Sequence, residues 1–266
     1  MRRAALLGAA ALAATAVVVV ASTVVPSAVG RAEPLPATAQ NANAPYDGLY
    51  HFLRIQYGAS RSGGFGGFGR RGGREPMWAH DYPRAERNFL QIVKEMTFVG
   101  TQTEASNVLV LDDPELFKFP IAYIVEVGAW NPTEEEAVRL GEYLLKGGFL
   151  IVDDFRGFRD LDNLEYQLDR ALPGHAMIMI DETNDVFDSF FRILPENVIP
   201  PYGGEVPIWY GVFEDNDPTK RMMIVINHNN DIAEYWEYSD YGYYPIDLAN
   251  EAYKLGVNYV VYGLTH

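Results

Sequence analysis

The chain has 266 residues, enough for one or two domains, and its 48% hydrophobic content suits a packed core and excludes a wholly disordered protein. Acidic residues number 36 against 21 basic ones, a formal charge of −15 that argues against a nucleic-acid partner or an anionic membrane surface. There is no cysteine, so disulfides, thiolate zinc sites, iron–sulfur clusters and a cysteine nucleophile are excluded.

Arg2 and Arg3 precede an uncharged run rich in Ala, Val and Leu at residues 4–25, which Pro26 ends. This is the pattern of an export signal over residues 1–39, with cleavage points after Ala32 or Ala39. The run is also long enough for an uncleaved N-terminal membrane anchor. In both cases the rest of the chain is expected on the periplasmic or extracellular side of the membrane, as a single domain over residues 40–266.

After a polar lead-in at 40–48, residues 49–57 (LYHFLRIQY) predict a strand. Residues 58–74 carry eight Gly and four Arg and read as a flexible loop or flap. A helix is predicted over 81–98, with Asp81 as N-cap, Pro83 in the first turn and Phe89, Ile92, Val93 and Met96 on one face. Apolar runs at 108–111 and 121–127 predict strands, and Thr133 followed by three glutamates opens a helix that stops at Gly147 and Gly148. A strand at 149–152, a helix at about 160–171, and strands at 176–180 and 222–226 follow. A closing helix is predicted over 246–256, and 258–262 either continues it or adds a short strand. Fully apolar strands alternating with amphipathic helices predict an α/β domain with a mainly parallel sheet covered on both faces.

In such sheets ligands sit beyond the carboxyl ends of the strands. Three predicted strand ends are polar: Asp112 and Asp113; Asp153 and Asp154 with Arg156; and the run Asn227, His228, Asn229, Asn230, Asp231. Carboxylates, amides and an imidazole brought together there suit a divalent cation or a polyhydroxyl ligand. The same residue types also cap helices and make turns, which is the reading favoured for Asp112 and Asp113. His80 and Asp81 stand between the glycine loop and a helix, where Asp81 serves as a cap and His80 as a ligand, a proton carrier or a plain surface residue. Residues 235–244 place six aromatic rings in ten positions, with Trp236 among them, as a loop anchored by its rings or as a stacking platform.

Several chemistries are missing. Gly64 to Gly69 fits G-x-G-x-x-G literally, but it stands too far from a strand and no helix follows, so no dinucleotide site is expected. There is no G-x-S-x-G elbow, no P-loop, and no paired-histidine zinc motif among the five histidines.

Leu53-Arg54-Ile55-Gln56-Tyr57, then Trp78 with Asp81-Tyr82-Pro83, then Phe119 to Tyr123 form an ordered series. The GGFLIVDD segment ending at Asp154 and the LGVNYVVY segment ending at Tyr262 continue it. In this series the chain resembles the bacterial DUF4159 family, a domain of unknown function, over about residues 48–265. The resemblance implies a three-layer, flavodoxin-like fold of the class I glutamine amidotransferase-like superfamily and a place in the cell envelope. It brings no catalytic residues, and the superfamily's cysteine nucleophile is missing here.

Two functions are therefore expected from different classes. The first is a non-catalytic envelope module that binds a partner protein or small ligand around His80, Asp81, Asp153, Asp154, Arg156, Asn227, His228, Asp231 and Trp236. The second is a metal-dependent hydrolase of glycans or esters, with Asp153, Asp154 and His228 as metal ligands and His80 or Asp81 as general base. A carbohydrate-binding platform of Tyr235, Trp236 and Tyr238 is a third reading. No cofactor other than a divalent cation is implied.

Overall fold

A computed structural model describes residues 43–58 and 76–266. The segment expected to direct export and all of the glycine–arginine loop beyond Gly58 lie outside the described residues. Seven strands, β1 (Leu53–Ile55), β2 (Asn107–Leu109), β3 (Ile121–Val125), β4 (Phe149–Phe155), β5 (Ile178–Ile180), β6 (Ile208–Phe213) and β7 (Met222–His228), form one sheet. Their order is β2-β1-β3-β4-β7-β6-β5. The first five are parallel to one another, and β6 and β5 are added antiparallel at one edge. The parallel part has the strand order of doubly wound flavodoxin-like sheets, whose ligand crevice lies where the order reverses, between β1 and β3.

Among the described residues five α-helices cover the sheet: α1 (Arg84–Met96), α2 (Glu134–Leu145), α3 (Gly157–Ala171), α4 (Ile232–Glu237) and α5 (Ile246–Thr265). The central strands are apolar on both faces, so each face needs a helical layer. On one face Phe89 and Val93 of α1, Trp236 of α4 and Val257 and Val260 of α5 pack on Tyr123, Ile151 and Val225. On the other, Leu140 and Leu144 of α2 and Leu164 and Leu168 of α3 pack on Ile124, Val152 and Ile226. The result is the expected three-layer α/β domain.

Local chemistry accounts for the element ends. Thr133 opens α2 with a full capping box: its hydroxyl accepts from the Glu136 amide, and the Glu136 carboxylate accepts from the Thr133 amide. Gly256 allows α5 to approach α1 and α4, since a Cβ there would stand 2.5 Å from a Trp236 ring carbon and 2.6 Å from a Phe89 ring carbon.

Three expectations are corrected, and of the two alternatives for 258–262 the helical one is observed. The strand expected to end at Val152 continues through Asp153 and Asp154 to Phe155, because hydrogen bonds satisfy the first of these acids inside the core. Strand β6 and helix α4 were not anticipated, and α4 takes the first half of the aromatic run. The closing segment is one continuous helix to Thr265. Helix α1 starts at Arg84 with Pro83 at its N-cap position, so Asp81 does not cap it. Among the described residues no helix is long and apolar enough to cross a membrane.

Candidate functional site

The carboxyl ends of β1, β3, β4 and β7 converge on an acidic crevice. Arg54, fully buried in β1, shapes its first wall. Its Nη1 donates to the carbonyls of Trp78 (3.1 Å) and His80 (2.9 Å), and its Nε pairs with the buried Glu86 of α1. The guanidinium also lies over the Tyr123 ring, 5.1 Å from its centroid. These contacts fix the turn that carries His80 and Asp81.

Asp81 sits at φ +64°, a left-handed conformation incompatible with the extended backbone of an N-cap. Its carbonyl accepts the amides of Arg84 and Ala85. Both carboxylate oxygens are buried without a hydrogen-bond partner, and the side chain is 1% exposed. Asp231, three residues beyond β7, caps α4 by accepting the Glu234 amide with Oδ1 (2.9 Å), and its buried Oδ2 has no partner. Asp154 of β4 also adopts a left-handed conformation, where the β4–β7 register shifts. His80 Nδ1 and Asp154 Oδ2 are hydrogen-bonded at 2.5 Å.

One ligand atom from each of His80, Asp81, Asp154 and Asp231 lies within 4.8 Å of the others. Opposite ligands of an ion with oxygen bonds of 2.3–2.6 Å stand about 4.6–5.2 Å apart, so the four fit one coordination sphere. A buried carboxylate oxygen that receives no proton donor is costly unless a cation compensates it. Arg156 brings a fixed cation to the cluster, its Nη2 3.9 Å from Asp154 Oδ1.

The titration of these groups reflects the crowding. Burial, then the neighbouring charge of Asp231, raises Asp81 well above the usual carboxylate range. Burial, then the charges of Asp154 and Asp153, does the same to Asp231. The hydrogen bond to Asp154 and the charge of Asp81 push His80 up to about 10. Glu126, which follows β3 at φ +52°, is raised to about 7 by burial and by Asp154, and its Oε1 lies 3.9 Å from His80 Nδ1. Of the six non-glycine residues with positive φ among the described residues, Asp81, Glu126, Asp154 and Asn229 all line these strand ends. Strain of this kind persists where the surrounding structure holds it, and it clusters at functional sites.

Beside Asp231 lies a cavity of about 120 Å³, walled by Arg156, Tyr202, Asn229, Asn230 and the glycines 203 and 204. The Arg156 guanidinium lies over the Tyr202 ring, 4.2 Å from its centroid. Asn230 is buried, and its Nδ2 has no hydrogen-bond partner.

The structure thus brings His80, Asp81, Asp154, Arg156 and Asp231 together and places the other expected site residues elsewhere. Asp153 lies on the α4 face of the sheet. It accepts from the Tyr123 hydroxyl (2.7 Å), Asn227 Nδ2 (3.0 Å) and the amides of Ile232 (3.0 Å) and Ala233 (3.3 Å). Burial raises it to about 6 against the pull of the Tyr123 and Asn227 hydrogen bonds. Asn227 continues this buried chain by accepting from the Tyr259 hydroxyl. His228 faces the opposite side of the sheet, between the Phe155 and Tyr210 rings, with Nε2 3.2 Å from the Gly157 carbonyl oxygen. Asp153 and His228 thus lie on opposite faces of the sheet and do not meet, whereas His80, Asp81, Asp154 and Asp231 bring ligand atoms together. Trp236 is 1% exposed and stacks on Phe89 at 4.2 Å between centroids; with Tyr235 also buried, no sugar platform exists there.

Sequence reasoning missed Arg54, Glu126 and Glu234. A single charge inside an otherwise apolar strand was the available signal for Arg54. Glu126 and Glu234 carry no such mark.

A family model described as a domain of unknown function, DUF4159, matches residues 51–264. No curated protein matches the chain.

Proposed function

The chain belongs to the DUF4159 family, a domain of unknown function, and from that premise we propose that it is a divalent-cation-binding α/β domain exposed on the outer side of the cytoplasmic membrane. The cation sits on His80, Asp81, Asp154 and Asp231 and presents its open coordination positions to a small ligand or a partner's side chain. The observation that carries this reading is the pair of buried acids, Asp81 and Asp231, with three carboxylate oxygens left without a hydrogen-bond partner. An oxygen-rich set with one imidazole suits Mg²⁺, Mn²⁺ or Ca²⁺ better than a soft thiophilic metal. The adjoining cavity, with the Arg156 guanidinium and the free Asn230 amide, would receive an oxygen-rich part of the ligand. Export rests on the basic and apolar pattern of residues 1–39.

A second reading, a metal-dependent hydrolase of esters or glycans, is favoured by Glu126. Its partly exposed carboxylate and left-handed backbone place a proton acceptor beside the four ligands. Kinship with the class I glutamine amidotransferase-like superfamily would concern the fold alone, because no cysteine nucleophile is present.

The test is metal analysis of the full chain after dialysis against Mg²⁺, Ca²⁺, Mn²⁺ and Zn²⁺ in turn. Retention of one of these ions, and its loss in Asp81→Asn and Asp231→Asn, is the expected result. A chain that retains none of them overturns the reading. Turnover of an ester or glycan panel that is lost in Glu126→Gln would move the assignment to the hydrolase.

A further inference from the structure

Asp81 belongs to two groups of ligating atoms. Besides the set with His80, Asp154 and Asp231, one oxygen of Asp81 lies within 4.8 Å of carboxylate oxygens of Glu234 and Glu237. Both glutamates come from α4, three residues apart, so they project from one face of that short helix. The Tyr244 hydroxyl donates to Glu234 Oε1 at 2.7 Å and fixes that carboxylate in place. One ion uses one oxygen of Asp81, yet both are buried without a partner. Charge leads to the same place. When Asp81, Asp154, Asp231, Glu234 and Glu237 are ionised and His80 is a neutral ligand of the first ion, that divalent ion together with Arg156 leaves two of the five carboxylates uncompensated. A second divalent ion neutralises the set. Arg84 compensates the set only in part: its charge favours ionised Glu237, but its guanidinium pairs with Asp240 at 2.6 Å and lies over the Tyr241 ring.

We propose that the crevice holds two divalent cations, bridged by the Asp81 carboxylate, with Glu234 and Glu237 completing the second site. This rests on the cation reading above. Carboxylate-bridged pairs stand about 3.5–4 Å apart and bind oxyanion groups across both ions. The class of ligand is therefore a phosphoryl or carboxylate group lying between the ions.

The experiment loads the full chain with Mn²⁺, removes free metal, and combines elemental analysis with electron paramagnetic resonance. The expected result is about two Mn²⁺ per chain with an exchange-coupled spectrum. Glu237→Gln, at a partly exposed position, is expected to keep its circular dichroism, retain one Mn²⁺ and show the uncoupled signal. One uncoupled Mn²⁺ in the unaltered chain overturns the second site while leaving the first intact. Two ions that persist in both Glu237→Gln and Glu234→Gln also overturn it. No bound Mn²⁺ at all removes the underlying reading instead.

Discussion

Asp81 and Asp231 hold carboxylates in a protein interior where each opposes the other, and neither Asp81 oxygen receives a hydrogen bond. Replacing one by its neutral isostere removes that repulsion. Asp81→Asn is thus expected to raise the unfolding temperature in chelator and to abolish the increment gained on adding cation, both read by differential scanning fluorimetry. Arg54 presents the opposite case, a buried charge with its partner beside it. Removing one member of such a pair costs about 3–5 kcal/mol, because the other is left buried and unpaired. Urea unfolding of Arg54→Met should show a loss of that size, and Arg54→Met/Glu86→Gln should recover part of it. Asp153 supports the site from behind: Asp153→Asn forfeits hydrogen bonds to a charged acceptor, each worth about 1.5–3 kcal/mol, two of them to the first amides of α4, so urea stability and cation retention should fall together. Five site residues were legible: Asp154, Arg156 and Asp231 as polar groups at strand ends, and His80 and Asp81 between the glycine loop and a helix. Their grouping was not, because successive strand residues face opposite sides of a sheet. That rule separates Asn227 from His228, and the left-handed turn at Asp154 sets it apart from Asp153 in a way that no residue type announces.

The elements with strong periodicity were readable. Helix α2 announces itself by Thr133 and Glu136, and the apolar runs of β3 and β7 by their burial on both faces. Strand β6 escaped because it is antiparallel near the sheet edge and half-buried at alternate positions, so its pattern is mixed. Helix α4 has six residues, fewer than two turns, too few to establish a period, and its aromatic residues looked like loop anchors. What holds α4 is tertiary: the Asp153 carboxylate accepts its first amides, and the stack of Trp236 on Phe89 presses it against α1. Gly256 makes room for that stack. A methyl group at Gly256 would collide with both rings, and overpacking of this kind costs about 1–3 kcal/mol. Gly256→Ala should lower the urea midpoint by the corresponding amount. It should also weaken cation retention, since displacement of α4 moves Asp231 and Glu234 together.

At the scale of the molecule, the doubly wound sheet places its crevice where the strand order reverses; sequence alone pointed to the carboxyl ends of the strands but not to their order. An ion that binds only the folded chain stabilises it by about 2.7 kcal/mol at a hundredfold excess over its dissociation constant. For a domain of this size that is a rise of roughly 5–10 °C in unfolding temperature, reversed by chelator. The ligands come from the turn after β1, from β4 and from the end of β7, segments far apart along the chain. A bound ion is therefore a removable cross-link that closes two long loops in a protein without a single disulfide. At the proposed location outside the cytoplasm, where other proteins lock their topology with sulfur, this one would set its lock with a mineral. Its resistance to unfolding would then follow the hardness of the surrounding water and not the redox state.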